Sequence, residues 1–297
     1  MARMPVAEVE VTPELVRDLL ADQHPDLADL PITVLANGWD NVMLRLGDDL
    51  LVRVPRRQLA AVLVEHEQAW LPALAPRLPT AIPAPVRTGR PALGFPWSWS
   101  VLPWLPGRPL AQVPMKDRGR SAVELGRFLA ALHVPAPEDA PENPVRGGPL
   151  RFREPLVTER VQRHAPADAE RLLTRWRAEV AEPDPPGPPL WVHGDVHALN
   201  VLLDGEALAA VIDWGDITAG DPACDLAIAW NGYDVEAGAA LRAAYDAHAT
   251  HHLDLALLWD RAHAWALHFS MVLLESSDDH PELAAVGQHG LFRLLES

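Results

Sequence analysis

The 297-residue chain has a single cysteine, Cys224, and a single lysine, Lys116. One cysteine excludes an intrachain disulfide and any multi-cysteine metal cage, and it fits a reducing compartment. One lysine among 25 basic residues means that arginine must fill almost every role chemistry elsewhere gives to lysine. No apolar run approaches the ~18 residues that a membrane span needs. The opening "MARMPVAEVEVTPELV" also lacks the apolar stretch of a secretory signal. A cytoplasmic protein with no membrane contact is expected, as a monomer or weak dimer. Positive charge is scarce too: 25 Lys and Arg face 41 Asp and Glu, a net charge of −16. Such a field repels nucleic acid and anionic surfaces, and leaves solubility or a cationic ligand as its use.

What is present is an ordinary globular composition, 48% hydrophobic and 22% charged, which leaves room for one large domain or two modest ones. Thr12 and Pro13 open a short helix, "ELVRDLL". "PITVLANGWDNVMLRLGDDLLVRVPRR" then reads as three strands with turns at "ANGWDN" and "LGDDL". "QLAAVLVEHEQAWLPALAPRL" has helical spacing, and "APVRTG" and "PWSWSVLPWLPG" add two strands. From about Pro106 helices dominate. One runs through "GRSAVELGRFLAALH", another over roughly 158–180, and the tail from Ala237 is mostly helical. "PAPEDAPENPVRGGP" holds too many prolines for regular structure and reads as a surface loop. Between these helices lie two apolar strand segments, "LWVHGDVHALNVLLD" and "ALAAVIDWGD", each interrupted by polar residues.

Those interruptions carry the chemistry. His193, Asp195 and His197 alternate, so on extended chain all three could face one side and hold a divalent metal in a hydrolase. Such a cage needs further ligands, and no second compact His/Asp cluster lies nearby in the sequence. The competing reading takes Asp195, Asn200 five residues on, and Asp213 after the next strand. Phosphoryl transfer needs a carboxylate to accept the proton of an attacking hydroxyl. It also needs an amide oxygen and a second carboxylate to hold Mg²⁺ on the nucleotide phosphates. A hairpin through "VLLD…AAVI" would bring Asn200 and Asp213 together. Turn and cap aspartates in a buried loop are the plain structural alternative.

"HGDVHALN", "VIDWGD" and "GDPACDLA" together resemble the aminoglycoside phosphotransferases and choline kinases, whose fold is similar to that of protein kinases. "GWDNVMLRLGDDLLVRVPRR", "EHEQAWLPALAPRLP" and "LGRFLAALH" extend the likeness over about residues 30 to 235. The resemblance implies an α+β, two-lobed fold. Residues 1–105 would form an N-terminal nucleotide-binding lobe, an antiparallel sheet with one helix. Residues 106–297 would form a larger, mostly helical lobe for catalysis and acceptor binding. It implies an ATP- or GTP-dependent kinase with Asp195 as base and Asn200 and Asp213 as Mg²⁺ ligands. His193, His197 and Asp225 would brace the loop, and Asp216 and Asp221 would be turn residues.

Two positions depart from that pattern. Protein kinases pair a third-strand lysine with a helix glutamate. Here "LLVRVP" supplies Arg53, with Glu67 the expected partner in preference to Glu65, so function is expected to survive. The phosphate-covering turn has one glycine, Gly38, and would use backbone N–H groups from Gly38 through Trp39 to Asn41. Adenine would bond the connecting strand at Leu102, Trp104 or Leu105, since Pro103 has no N–H. Trp104 is a candidate for bordering the base, and Trp97 and Trp99 for the core. From Asp213 to Asp260 there are nine Asp or Glu residues and one arginine, Arg242. That balance would suit a cationic small-molecule acceptor, an aminoglycoside first, with Asp234, Glu236, Glu275, Asp278 and Asp279 as its contacts. A macrolide, choline, homoserine or sugar-amine acceptor, and a regulatory pseudokinase, remain as alternatives.

Overall fold

Thr12 Oγ1 accepts from the Leu15 N–H at 3.2 Å and opens α1 (Pro13–Gln23), with Pro13 preset for the first turn. The computed structural model that shows this describes residues 6–38, 40–181, 187–276 and 280–297. Strands β1 (Ile32–Asn37), β2 (Asn41–Leu46) and β3 (Leu50–Pro55) follow as a meander, and α2 (Gln58–Leu74) leaves the end of β3. With β4 (Arg87–Gly89) and β5 (Trp99–Pro103) they form an antiparallel sheet in the order β1-β2-β3-β5-β4. β5 thus inserts between β3 and β4 rather than extending the sheet at its edge. Side chains alternate across a strand, so Val42, Leu44 and Leu46 of β2 enter one core with Val52 and Val54 of β3. Arg53 leaves β3 on the opposite face. In β4, Gly89 faces Trp99 across the ladder, and a Cβ there would lie 1.9 Å from the indole ring. Only glycine lets that fully buried tryptophan lie across the strand.

The chain continues through β6 (Arg108–Pro109) into α3 (Gly119–Leu132), α4 (Glu154–His164) and α5 (Ala169–Glu179). The single helix expected over 158–180 is therefore two. Pro166 disfavours helical backbone at Ala165, which sits at φ −140° and ends α4. Next come β7 (Leu190–Val192), β8 (Val201–Asp204), β9 (Ala207–Val211) and β10 (Thr218–Gly220). The remainder is helical: α6 (Ala223–Leu226), α7 (Ile228–Asn231), α8 (Val235–His248), α9 (Leu255–Ser276) and α10 (Pro281–Glu296). Because α8 stops at His248, His251 and His252 do not continue its face.

Two apolar clusters result. The smaller unites α1, the sheet and the loop tryptophan Trp97, which packs edge-on against Phe95. The larger takes in the end of α2 (Leu71, Leu74) and the helices from α3 onward, with Trp176, Trp191, Trp214 and Trp265 buried in it. Among the described residues no helix is long and apolar enough to cross a membrane.

The four short strands decide where the polar segments go. β7 pairs with β10, and β8 pairs with β9 and β6, all antiparallel. The loop of residues 193–200 leaves β7 and enters β8, while that of 212–217 leaves β9 and enters β10. Each loop is therefore clamped at both ends by pairing with the other's flanking strand, and the two run side by side.

Candidate active site

The loop from His193 to Asn200 is held from beneath by Asp225. Its carboxylate accepts from the backbone N–H groups of His193 (2.8 Å) and Gly194 (2.9 Å) and lies 3.2 Å from His133 Nε2. Asp225 is fully buried, which by itself raises its pKa, but His133, His193 and these bonds outweigh burial and lower it. Gly194 stands at φ +90°, and a Cβ there would meet the Asp216 carbonyl at 2.5 Å. The two loops can approach this closely only through glycine.

His193 has no nitrogen left for a metal. Its Nδ1 accepts from the Asp195 N–H (3.2 Å), so Nε2 carries the proton and donates to the Ile212 carbonyl (3.1 Å). The ring packs against Trp214 with centroids 4.5 Å apart. His197 Nδ1 accepts from the Leu199 N–H (3.2 Å), which turns its Nε2–H toward Asp195 Oδ2 at 3.5 Å. Both histidines thus hold the loop in shape. Among the described residues no three His, Cys, Asp or Glu side chains group as a metal cage.

The Asp195 side chain is 27% exposed. Desolvation pushes its pKa up, but Arg146 at 2.9 Å and His197 hold it well below the usual carboxylate range. The Asn200 side-chain N–H donates to the Asp195 carbonyl (3.0 Å), leaving Asn200 Oδ1 as the atom available to a cation. Across the hairpin, the Ile212 N–H donates to the Asn200 carbonyl (2.9 Å), so Asp213 follows directly beside Asn200. Asp213 stands at φ +62°, a conformation that favours glycine, and its side chain is 55% exposed.

Arg53 closes the other side. Nη1 donates to Glu67 Oε1 (2.6 Å) and Nη2 to Asp213 Oδ1 (3.2 Å). The Asn41 amide, with its oxygen turned inward, accepts from Nε (3.2 Å) and Nη2 (3.1 Å). Burial works against the Arg53 charge, but Glu67 and Asp213 outweigh it and keep the guanidinium charged. Burial raises the Glu67 carboxyl to about 7 despite Arg53, helped by the nearby Asp213 charge.

In the β1–β2 turn, the Gly38 N–H donates to the Asn41 carbonyl (2.9 Å) and is engaged within the turn. Arg56 Nη1 donates to Asn37 Oδ1 (2.8 Å) and the Gly38 carbonyl (3.1 Å), and Arg57 pairs with Asp40. Trp39 lies outside the described residues. On the connecting strand, Leu102 is buried opposite Leu51, and the Trp104 N–H donates to the Asp49 carbonyl (2.7 Å). The Trp104 ring lies under the Arg45 guanidinium at 3.9 Å. Of the three proposed donors, Leu105 is the one whose N–H bonds nothing among the described residues.

Of the acidic residues expected around an acceptor, Asp234, Glu236 and Glu275 are described. Asp234 caps α8, accepting from the Ala237 N–H (2.8 Å), and Glu236 stands exposed in the next turn. Glu275 is held by both Arg160 and Arg163. Asp278 and Asp279 lie outside the described residues.

Residues 31–265 match the APH family, described as the phosphotransferase enzyme family. The chain belongs to that family. No curated protein matches this phosphotransferase. Solved structures do, at identities that speak for the protein-kinase-like fold alone. The GDP and kanamycin complex of APH(2″)-IIIa is 19% identical, with a TM-score of 0.68, covering 95% of this chain and 97% of that one. The macrolide 2′-phosphotransferase MphH from Brachybacterium faecium is 22% identical, with a TM-score of 0.61, covering 93% and 96%. The streptomycin–ATP complex of APH(2″)-IIa is 18% identical, with a TM-score of 0.59, covering 97% of each.

The phosphotransferase also has site residues that the sequence reading passed over. Arg146, in the proline-rich loop read as surface, donates to Asp195 and, through Nε at 3.2 Å, to Asp216. Asp216 in turn accepts from the Asn143 side chain (2.8 Å), and Asp221 is gripped by Arg261 at 2.6 and 3.1 Å. Both aspartates thus do more than shape turns. The available signal was length: a long connection with no regular structure in a compact chain is a functional segment more often than a spacer.

Proposed function

We propose that this phosphotransferase moves the γ-phosphate of ATP or GTP to a hydroxyl of a small molecule, with Asp195 as the base. The observation that carries the reading is the convergence of five side chains from distant sequence positions: Asp195, Asn200, Asp213, Arg53 and Glu67. Asp195 is ionised and partly exposed, so it can accept a hydrogen bond from the acceptor hydroxyl and then its proton as the oxygen bonds to phosphorus. Asn200 Oδ1 and the Asp213 carboxylate are a hard oxygen pair, which suits Mg²⁺ completed by phosphate oxygens and water rather than a closed protein cage. Mg²⁺ at that pair would neutralise the charge that develops on the phosphates. Arg53, poised between Glu67 and Asp213, takes the position of the kinase lysine and would meet the nucleotide phosphates.

We assign nucleotide binding to residues 1–105 and catalysis with acceptor binding to 106–297, the nucleotide lying between them. The Leu105 N–H is the backbone donor for the base, and Trp104 borders it. Arg56 and Arg57 keep the Gly38–Asn41 turn in shape above the phosphates. His193, His197 and Asp225 hold Asp195 in place.

The solved kanamycin and streptomycin complexes of similar proteins, and the macrolide enzyme, make antibiotic hydroxyls the first acceptors to screen. A coupled nucleotide-turnover assay with Mg²⁺ over aminoglycosides, macrolides and metabolic alcohols tests the reading. Acceptor-dependent turnover supports it. Tight nucleotide binding without turnover on any acceptor would replace it with the pseudokinase alternative.

A further inference from the structure

We propose that the acceptor carries an anionic group, a carboxylate or a phosphate, near its reactive hydroxyl, and that Arg153 together with Arg146 recognises it. This rests on the reading of Asp195 as the base. One face of α9 carries Trp265, His268 and Phe269, neighbours at helical spacing. Arg146 lies over the Phe269 ring at 5.2 Å, and Arg153 over the Trp265 ring at 5.4 Å. A turn further on, Arg160 and Arg163 reach Glu275. The wall beside Asp195 is therefore basic, in a protein whose net charge is −16.

Three of these four arginines have carboxylates. Arg146 has Asp195 and Asp216, Arg160 has Glu275, and Arg163 has Glu275 and Glu159. Arg153 pairs with no carboxylate among the described residues. It donates to the Pro144 carbonyl (3.3 Å) and to His268 Nε2 (3.4 Å). Partial burial and the neighbouring Arg146 both work against its charge, lowering its pKa.

His268 packs behind Arg153. It is 2% exposed, and its Nε2 accepts from Arg153, so the ring proton sits on Nδ1. That Nδ1 is buried with no hydrogen-bond partner among the described residues. Burial and the surrounding arginines hold the ring neutral down to about 3, so it stays a hydrogen-bonding group rather than another cation. Arg153, a guanidinium with no carboxylate partner among the described residues, and its neighbour Arg146 are complementary to an oxyanion. They oppose a polycation, whose amines would sit against Arg146 and Arg153 while the nearby acids are already engaged.

The test uses the full chain loaded with Mg²⁺ and a non-hydrolysable ATP analogue, so that the phosphate site is filled. Thermal midpoints are titrated with D-gluconate against glucose, sn-glycerol 3-phosphate against glycerol, and kanamycin. A saturable rise with an acidic probe and not with its neutral counterpart is expected. Gluconate identifies a carboxylate site and glycerol 3-phosphate a phosphate site. Arg153→Gln should weaken that binding about tenfold or more while leaving nucleotide protection unchanged, and Arg153→Lys should restore part of it. Acidic probes no better than neutral ones, undiminished binding by Arg153→Gln, or a larger saturable rise with kanamycin than with either acidic probe overturns the assignment and leaves the phosphotransferase reading standing. A wild-type chain that binds no Mg²⁺–nucleotide overturns both.

Discussion

Arg53 and Arg146 each bridge two carboxylates, but one does so from a strand with its side chain 6% exposed and the other from a loop at 20%. Arg53 joins Glu67 to Asp213, and Arg146 joins Asp195 to Asp216. Strand register fixes the first: β2 and β5 flank β3 on both sides, so Arg53 has one place to point. The second is fixed only by its ion pairs and by Phe269 beneath it. On the proposed nucleotide side the bridge is thus part of a rigid, desolvated network. On the proposed acceptor side the bridge is a partly exposed cation on a loop.

Removing the base should separate chemistry from both networks. With Asp195→Asn, turnover should fall about 10²–10⁴-fold, the usual contribution of a general base, while nucleotide affinity by equilibrium binding changes little. An Asp195→Asn enzyme with near-normal kcat would overturn the mechanism. Next in size is the rigid bridge itself. Arg53→Met leaves Glu67 and Asp213 facing each other, and breaking a buried pair costs about 3–5 kcal/mol, read as a fall in the urea midpoint. Arg53→Lys should also lose stability and nucleotide affinity, since one ammonium cannot span Glu67, Asp213 and Asn41. A large gain in rate from Arg53→Lys would mean that arginine is a poor replacement here.

The surplus cations on the acceptor side should appear as acid sensitivity. Buried His268, kept neutral to about 3 by burial and by Arg153, Arg160 and Arg146, binds its proton in the unfolded chain first. Its contribution is present above the unfolded pKa of about 6.5 and is lost as pH falls below it, by up to about 1.4 kcal/mol per pH unit. Stability of His268→Phe between pH 6.5 and 4 should fall less steeply than that of wild type. The smallest effect belongs to the partly exposed bridge. Arg146→Gln should cost no more than about 1 kcal/mol, because the pair is partly exposed and screened, and the loss should shrink further at high salt. It should also raise the Asp195 pKa. The stability that ionised Asp195 contributes, present above the unfolded carboxylate value, would then be lost at a higher pH on acidification.

The same contrast explains what the sequence could reveal. Asp195, Asn200, Asp213, Arg53 and Glu67 were legible because strands and a hairpin transmit spacing in the chain into position in space. So were the sheet, α1, α2 and α3, whose apolar periodicities have one consistent reading. Arg146 was not legible, because "ENPVRGGP" has no period and its course depends on contacts with Asp195 and Asp216, far away in sequence. The charge count is similarly uninformative: most of the acids between Asp213 and Asp260 are caps, braces or ion-pair partners, while Glu236 and Asp260 stand exposed, and composition cannot tell an engaged carboxylate from a free one. Helix periodicity across 158–180 also concealed the break at Ala165, where one proline overrides an otherwise continuous pattern.

Asn200 and Asp213 sit at the two open ends of one hairpin, whose closed end is the exposed turn Asp204–Glu206. Gly205 at that tip has nothing within 4 Å of where a Cβ would be. The hairpin therefore works as a pair of callipers whose jaws are set by the β8–β9 ladder and not by the handle. A fluorescent or affinity peptide grafted at Gly205 would lengthen the handle and leave the jaw spacing alone, giving the enzyme a reporter tied to the Asn200–Asp213 end.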